Sequence, residues 1–120
     1  MGIVAGILVA AVALLHAYIL VLEMFLWQGP KGRELSGFDA AMAKDTAALA
    51  ANQGLYNGFL AAGLVWGLIA SDPVGHDAQI FFTSCVVVAG LYGGATANRR
   101  IWLVQALPGA LALAAVLIAG

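Results

Sequence analysis

"IVAGILVAAVALLHAYILVLEMFLW", residues 3–27, is apolar from end to end apart from His16, Tyr18 and Glu23. A helix crosses the roughly 30 Å of bilayer hydrocarbon with about 20 such residues, each rising about 1.5 Å. This run is long enough. It is too long for the roughly 7–15-residue apolar centre of a secretory signal, it lacks a basic start, and no small-x-small cleavage site leads into a soluble domain. It reads as a membrane helix.

The same reading extends outward. Further apolar segments run over 46–70, 78–97 and 101–119. Breakers separate them: Gly29, Pro30 and Gly32, then Ser71, Asp72 and Pro73, then Asn98, Arg99 and Arg100. A polar loop is expected up to Lys44, with 38–44 as a helical extension of the second segment. Three residues between the last two segments require a tight antiparallel hairpin. Pro108 removes a backbone donor inside the fourth helix and is expected to kink it. The expected fold is all-α: a four-transmembrane-helix bundle, residues 1–120 forming a single integral membrane domain.

Composition agrees. Of 120 residues, 63% are hydrophobic and 9% charged, whereas a soluble domain carries about 25% charged residues. A net charge of −1 gives no footing for nucleic acid. Cys85 is the lone cysteine, so neither a disulfide framework nor a cysteine zinc site is available. The five basic residues, Lys31, Arg33, Lys44, Arg99 and Arg100, fall in the first and third connections. The positive-inside rule makes those connections cytoplasmic and puts both termini outside. A bacterial cytoplasmic (inner) membrane is the expected location. Trp27 and Trp102 fall at the cytoplasmic interface, where amphipathic rings are favoured.

Against this background "NQGLYN", residues 52–57, is anomalous. At about 100° per residue, Asn52, Gln53, Tyr56 and Asn57 share an arc of roughly 140°. Gly54, Gly58 and Ala61 lie outside it, and Gly54, Gly58, Ala62 and Trp66 form a stripe of close helix packing. An unsatisfied polar group in hydrocarbon costs several kcal/mol, so the polar arc is expected to face the bundle or a wet cavity. The other segments carry partners: His16 and Glu23, Tyr92 and Thr96, and Gln105. An intramembrane carboxylate is a functional candidate in its own right. His16 and Glu23, seven residues apart, are too widely spaced to bind one ion, and no third ligand joins them. No metal or cofactor is expected. The glycines of "AGLYGGAT", residues 89–96, follow no strand and make no phosphate loop.

The blocks "HAYILVLEMFLW" (16–27), "NQGLYNGFLAAGLVWG" (52–67), "AGLYGGAT" (89–96) and "VQALPGALAL" (104–113) resemble the bacterial DUF1304 family of small integral membrane proteins. The resemblance covers nearly the whole chain and implies a four-helix membrane protein of unassigned function. It implies that His16, Glu23, Asn52, Gln53, Tyr56, Asn57, Tyr92 and Gln105 belong to one site. The residues support three readings. In the first, the cavity binds and transforms a small lipophilic molecule by isomerisation or hydration. Glu23 and His16 are then the acid–base pair, and Asn52, Gln53, Tyr56, Asn57, Tyr92, Thr96 and Gln105 bind the ligand. In the second, the protein is a proton-coupled exporter, which at this size requires a homodimer. In the third, it is a structural or accessory subunit. Membrane lipids are partners in all three.

Overall fold

The first apolar run forms α1, Gly2–Phe25. Nothing in it breaks a helix, and it stops just before the glycine and proline at 29 and 30. The computed structural model describes residues 2–120, and among them there is no strand. After α1 come α2 (Pro30–Ser36), α3 (Ala40–Asp45), α4 (Ala47–Ile69) and α5 (Val74–Thr96). A π-helical turn, Trp102–Ala106, then leads into α6, Leu107–Ala119.

α1, α5 and the continuous stretch Trp102–Ala119 are long and apolar enough to cross a membrane. They mark the chain as an all-helical membrane protein. These are three helices, where four were expected. α4 has 23 residues and therefore the length. Its amides and glycines, concentrated between Asn52 and Gly58, take it below the apolarity of the other three.

The described chain divides into two compact units, with the divisions inside α1 and α4. One comprises residues 2–14 and Leu60–Gly120. Its core is built from Ala5, Val9, Val12 and Ala13 of α1, Leu64 of α4, Val86 of α5, and Ala112, Ala115 and Val116 of α6. Many of these side chains are small, which lets helix backbones approach closely in lipid. The α5–α6 hairpin shows how closely: a Cβ on Gly90 would lie 2.7 Å from the Ala106 Cα, and one on Gly109 2.7 Å from Val86 Cγ1. Trp102 Nε1 donates to the Leu91 carbonyl at 3.1 Å. The irregularity expected at Pro108 is the π turn immediately before it, where the chain widens ahead of a residue that has no N–H to donate. α5 begins at Val74, earlier than the expected 78. The Asp72 carboxylate accepts the His76 N–H at 3.2 Å and satisfies a first-turn donor that would otherwise lack a partner.

The other unit is Leu15–Phe59. The expected polar loop is here two short helices, each with local cause. Pro30 opens α2, where its missing donor does no harm, and Gly37 closes it at φ 77°. Asp39 caps α3 by accepting the Met42 N–H at 2.8 Å. Trp27 ties the connection together. Its Nε1 donates to Thr46 Oγ1 at 3.0 Å, and its ring meets Phe38 edge-on at 5.9 Å between centroids.

Candidate functional site

Within Leu15–Phe59, the last turns of α1 meet the first half of α4 through missing side chains. A Cβ on Gly54 would lie 2.7 Å from Met24 Cγ and 3.2 Å from the Leu20 carbonyl oxygen, and one on Gly58 2.5 Å from Leu20 Cδ1. The two glycines of the expected packing stripe therefore do pack, while Ala62 and Trp66 are exposed. The pairing of Gly58 with Leu20 and Gly54 with Met24 is antiparallel. Residues 47–53 of α4 consequently run on past the end of α1 at Phe25.

That close approach brings Asn57 to Glu23. Asn57 Nδ2 donates to Glu23 Oε1 at 2.7 Å and to the Gln53 backbone carbonyl at 3.1 Å. A primary amide has two N–H donors, and both are used. The amide is thereby oriented, leaving Asn57 Oδ1 and Glu23 Oε2 as two further acceptors. Both residues are half-buried. Among the described residues no buried side-chain nitrogen or oxygen lacks a partner.

The rest of the expected arc turns the other way. Asn52, Gln53 and Tyr56 are exposed, Tyr56 by 59%. Their side chains make no hydrogen bond among the described residues; the Tyr56 ring meets Phe59 edge-on at 5.8 Å. The arc was expected to face inward as a whole. Only Asn57, at its edge nearest the glycines, does so, because the glycines decide which side of α4 touches α1. His16 is fully buried and has an interaction of its own. It lies seven residues before Glu23, about 10 Å along the axis.

The remaining candidates belong to the other unit. Tyr92 is 72% exposed. Thr96, also exposed, donates from Oγ1 to the Tyr92 carbonyl at 2.7 Å. Gln105 sits half-buried in the π turn and also has an interaction of its own.

Comparison with known proteins follows the blocks that carry this geometry. The family model described as "Protein of unknown function (DUF1304)" matches residues 10–117. The chain is 31% identical over 119 residues to "Uncharacterized protein YpaA" of Lactococcus lactis subsp. lactis (strain IL1403), an alignment covering 98% of this chain and 97% of that protein. No solved structure matches. The match spans α1 through α6 with both Glu23 and Asn57 inside it, and the chain belongs to the DUF1304 family.

Proposed function

We propose that this protein crosses the bacterial cytoplasmic membrane four times as a helical bundle. In this reading it holds a small lipophilic molecule by its polar end at the cytoplasmic end of α1, with Glu23 as the acid–base group. One observation carries the reading: the 2.7 Å bond from Asn57 to Glu23, made by an amide whose second donor is also fixed. A carboxylate used only to tie two helices needs no such orientation. The oriented pair presents two acceptors, which fit an O–H or N–H on a ligand. Asn52 and Gln53 stand a little over one turn from Asn57 along α4, Tyr56 is its immediate neighbour, and the three add amide and phenol groups for a carbonyl or hydroxyl oxygen.

Support for α4 as the fourth span comes from its length and its lipid-compatible exposed residues. Its 23 residues rise about 34 Å, and Leu49, Leu55, Phe59, Val65 and Ile69 are exposed along it. The basic residues of α2, α3 and the α5–π connection support a cytoplasmic position for those connections, with the termini outside, under the positive-inside rule. Glu23 is two residues from the end of α1, so the site stands at the membrane–water boundary. A ligand there keeps its polar end on Glu23 and its apolar part in lipid. His16, about 10 Å away along the helix, is beyond the roughly 3 Å needed to share a proton with Glu23. The acid–base work therefore falls on Glu23, through isomerisation or hydration without redox change.

The structural reading has the same bond in its favour, since a hydrogen bond between α1 and α4 also ties the bundle. Purification in mild detergent followed by mass spectrometry of extracted small molecules separates the two. A specific compound enriched with the natural protein and lost in Glu23→Gln is the expected result. Equal contents, consisting of bulk phospholipid alone in both, would leave the structural reading.

A further inference from the structure

A concavity elsewhere in the molecule shares no residue with the Glu23 set. It has a volume of about 420 Å³ and lies among the start of α1, the start of α5 and the end of α6. The size is within the roughly 300–1,000 Å³ of small-molecule sites. Ala5, Val116 and Ala119 give it apolar wall; Asp72, His76 and Gln79 give it polar groups.

The hydrogen bonds decide the charge it accepts. The α5 N-terminus would attract an anion if its N–H groups were available. Three of them are occupied: Gly75 donates to the Ser71 carbonyl at 3.0 Å, Asp77 to the Pro73 carbonyl at 2.9 Å, and His76 to Asp72 Oδ1 at 3.2 Å. Gln79 has one of its two N–H donors occupied. Its Nε2 donates to the Gly67 carbonyl at 2.8 Å. A carbonyl oxygen only accepts, so the nitrogen must face Gly67, and Oε1 and one N–H are left over. The uncommitted side-chain groups are the second Asp72 oxygen, Gln79 Oε1 with one amide N–H, and the His76 ring; the one full charge among the Asp72 and Gln79 groups is the carboxylate. No lysine or arginine lines the cavity. It is rich in acceptors and carries a carboxylate.

A bare metal ion does not fit. Among the described residues no three His, Cys, Asp or Glu side chains come together, and the volume far exceeds that of an ion. We propose that this cavity binds a small organic ammonium ion, its N–H groups on Asp72 and Gln79 and its apolar part against Ala5, Val116 and Ala119. Under the orientation argued above, the site opens on the outer face of the membrane.

The test uses the full chain in detergent, with benzylammonium chloride as probe and calorimetry as readout. Benzyl alcohol, of like size and uncharged, is the comparison. Saturable binding of benzylammonium, with none of the alcohol, is expected. Asp72→Asn keeps an oxygen to cap His76 and should weaken binding at least tenfold. Asp77→Asn, which removes the same charge from a residue outside the cavity lining, should change it less than twofold. Equal binding of the two probes would show partition into the micelle and overturn the proposal. So would an equal loss in both variants, or no binding at about ten millimolar probe. If Asp72→Asn fails to fold by circular dichroism, the contrast between the two probes on the natural protein decides.

Discussion

α4 and α5 have the same length, 23 residues each, and differ in how they keep polar side chains in an apolar chain. α5 hides its hydroxyls within itself. Thr83 Oγ1 donates to the Gln79 carbonyl at 2.6 Å, Ser84 Oγ to the Ile80 carbonyl at 2.6 Å and Thr96 Oγ1 to the Tyr92 carbonyl at 2.7 Å. Each is a bond to the preceding turn that needs no neighbour. α4 carries amides, which have more donors and acceptors than one turn of backbone can satisfy. Asn57 needs both its own helix and α1, while Asn52 and Gln53 have exposed side chains with no bond among the described residues. A helix can conceal hydroxyls. Amides in the same setting commit it to a partner helix, a ligand or water. The difference makes residues 52–57 of α4 the stretch to test for function, and the interior serine and threonine hydroxyls of α5 the ones to test for packing.

The largest effect is expected from packing. Gly90→Ala in α5 puts a methyl 2.7 Å from a backbone atom of Ala106, and backbone cannot swing aside. A loss of about 3 kcal/mol is expected, read as unfolding at lower denaturant in mixed micelles. Gly58→Ala in α4 is the counterpart. There the added methyl meets the end of the Leu20 side chain at 2.5 Å, which can change rotamer. The helix also gains from replacing glycine, so a change within about 1 kcal/mol is expected. If both variants lost the same, the α5 hairpin would not be the tighter contact.

A smaller effect is expected from the side-chain bond that α4 donates to α1. Asn57→Leu removes the donor to Glu23, and the expected loss is about 1.5 kcal/mol, near the top of the range for hydrogen bonds within membranes. Paired with Glu23→Leu, which removes the acceptor, in a double-mutant cycle, the two changes should be non-additive by about 1 kcal/mol. Additive losses would mean that the two side chains do not act together in the folded protein.

The sequence made part of this legible. Hydropathy alone located the apolar segments, because the requirement is coarse: α1 was expected over 3–27 and forms over Gly2–Phe25, and α4 was expected over 46–70 and forms over Ala47–Ile69. Hydropathy starts α5 too late, at 78, because Asp72, His76 and Asp77 read as a polar connection after the break at Pro73. In the fold they are the entry to a helix, with Asp72 bound to the third residue of its first turn. The two short helices carried their own signals in Pro30, Gly37 and Asp39. The facing of the polar arc was not legible from the arc itself. A helical wheel gives angles between side chains of one helix, not which angle meets a neighbour. Gly54 and Gly58 held that information, since the side without side chains is the one that can be approached. Asn57 is the arc residue nearest to them, and it alone reaches α1.

The last prediction has the smallest expected effect on stability. Asn52→Leu with Gln53→Leu removes two exposed amides whose side chains have no partner among the described residues. If they were tying helices together, each would cost about 0.6 kcal/mol, and their joint loss would lower the melting temperature. The exposure of both side chains argues otherwise. Stability should stay within about 0.5 kcal/mol, as for surface positions away from packed features. Under the proposed function, in which these amides serve a ligand, retention of a small molecule that co-purifies with the natural protein should fall at least tenfold. Ser84→Ala in α5 is the matched control, an interior hydroxyl bound to its own helix, and should leave both readouts unchanged. A double variant that melts early while Ser84→Ala does not would assign the amides to the bundle after all. α4 would then differ from α5 in how it is held and not in what it does.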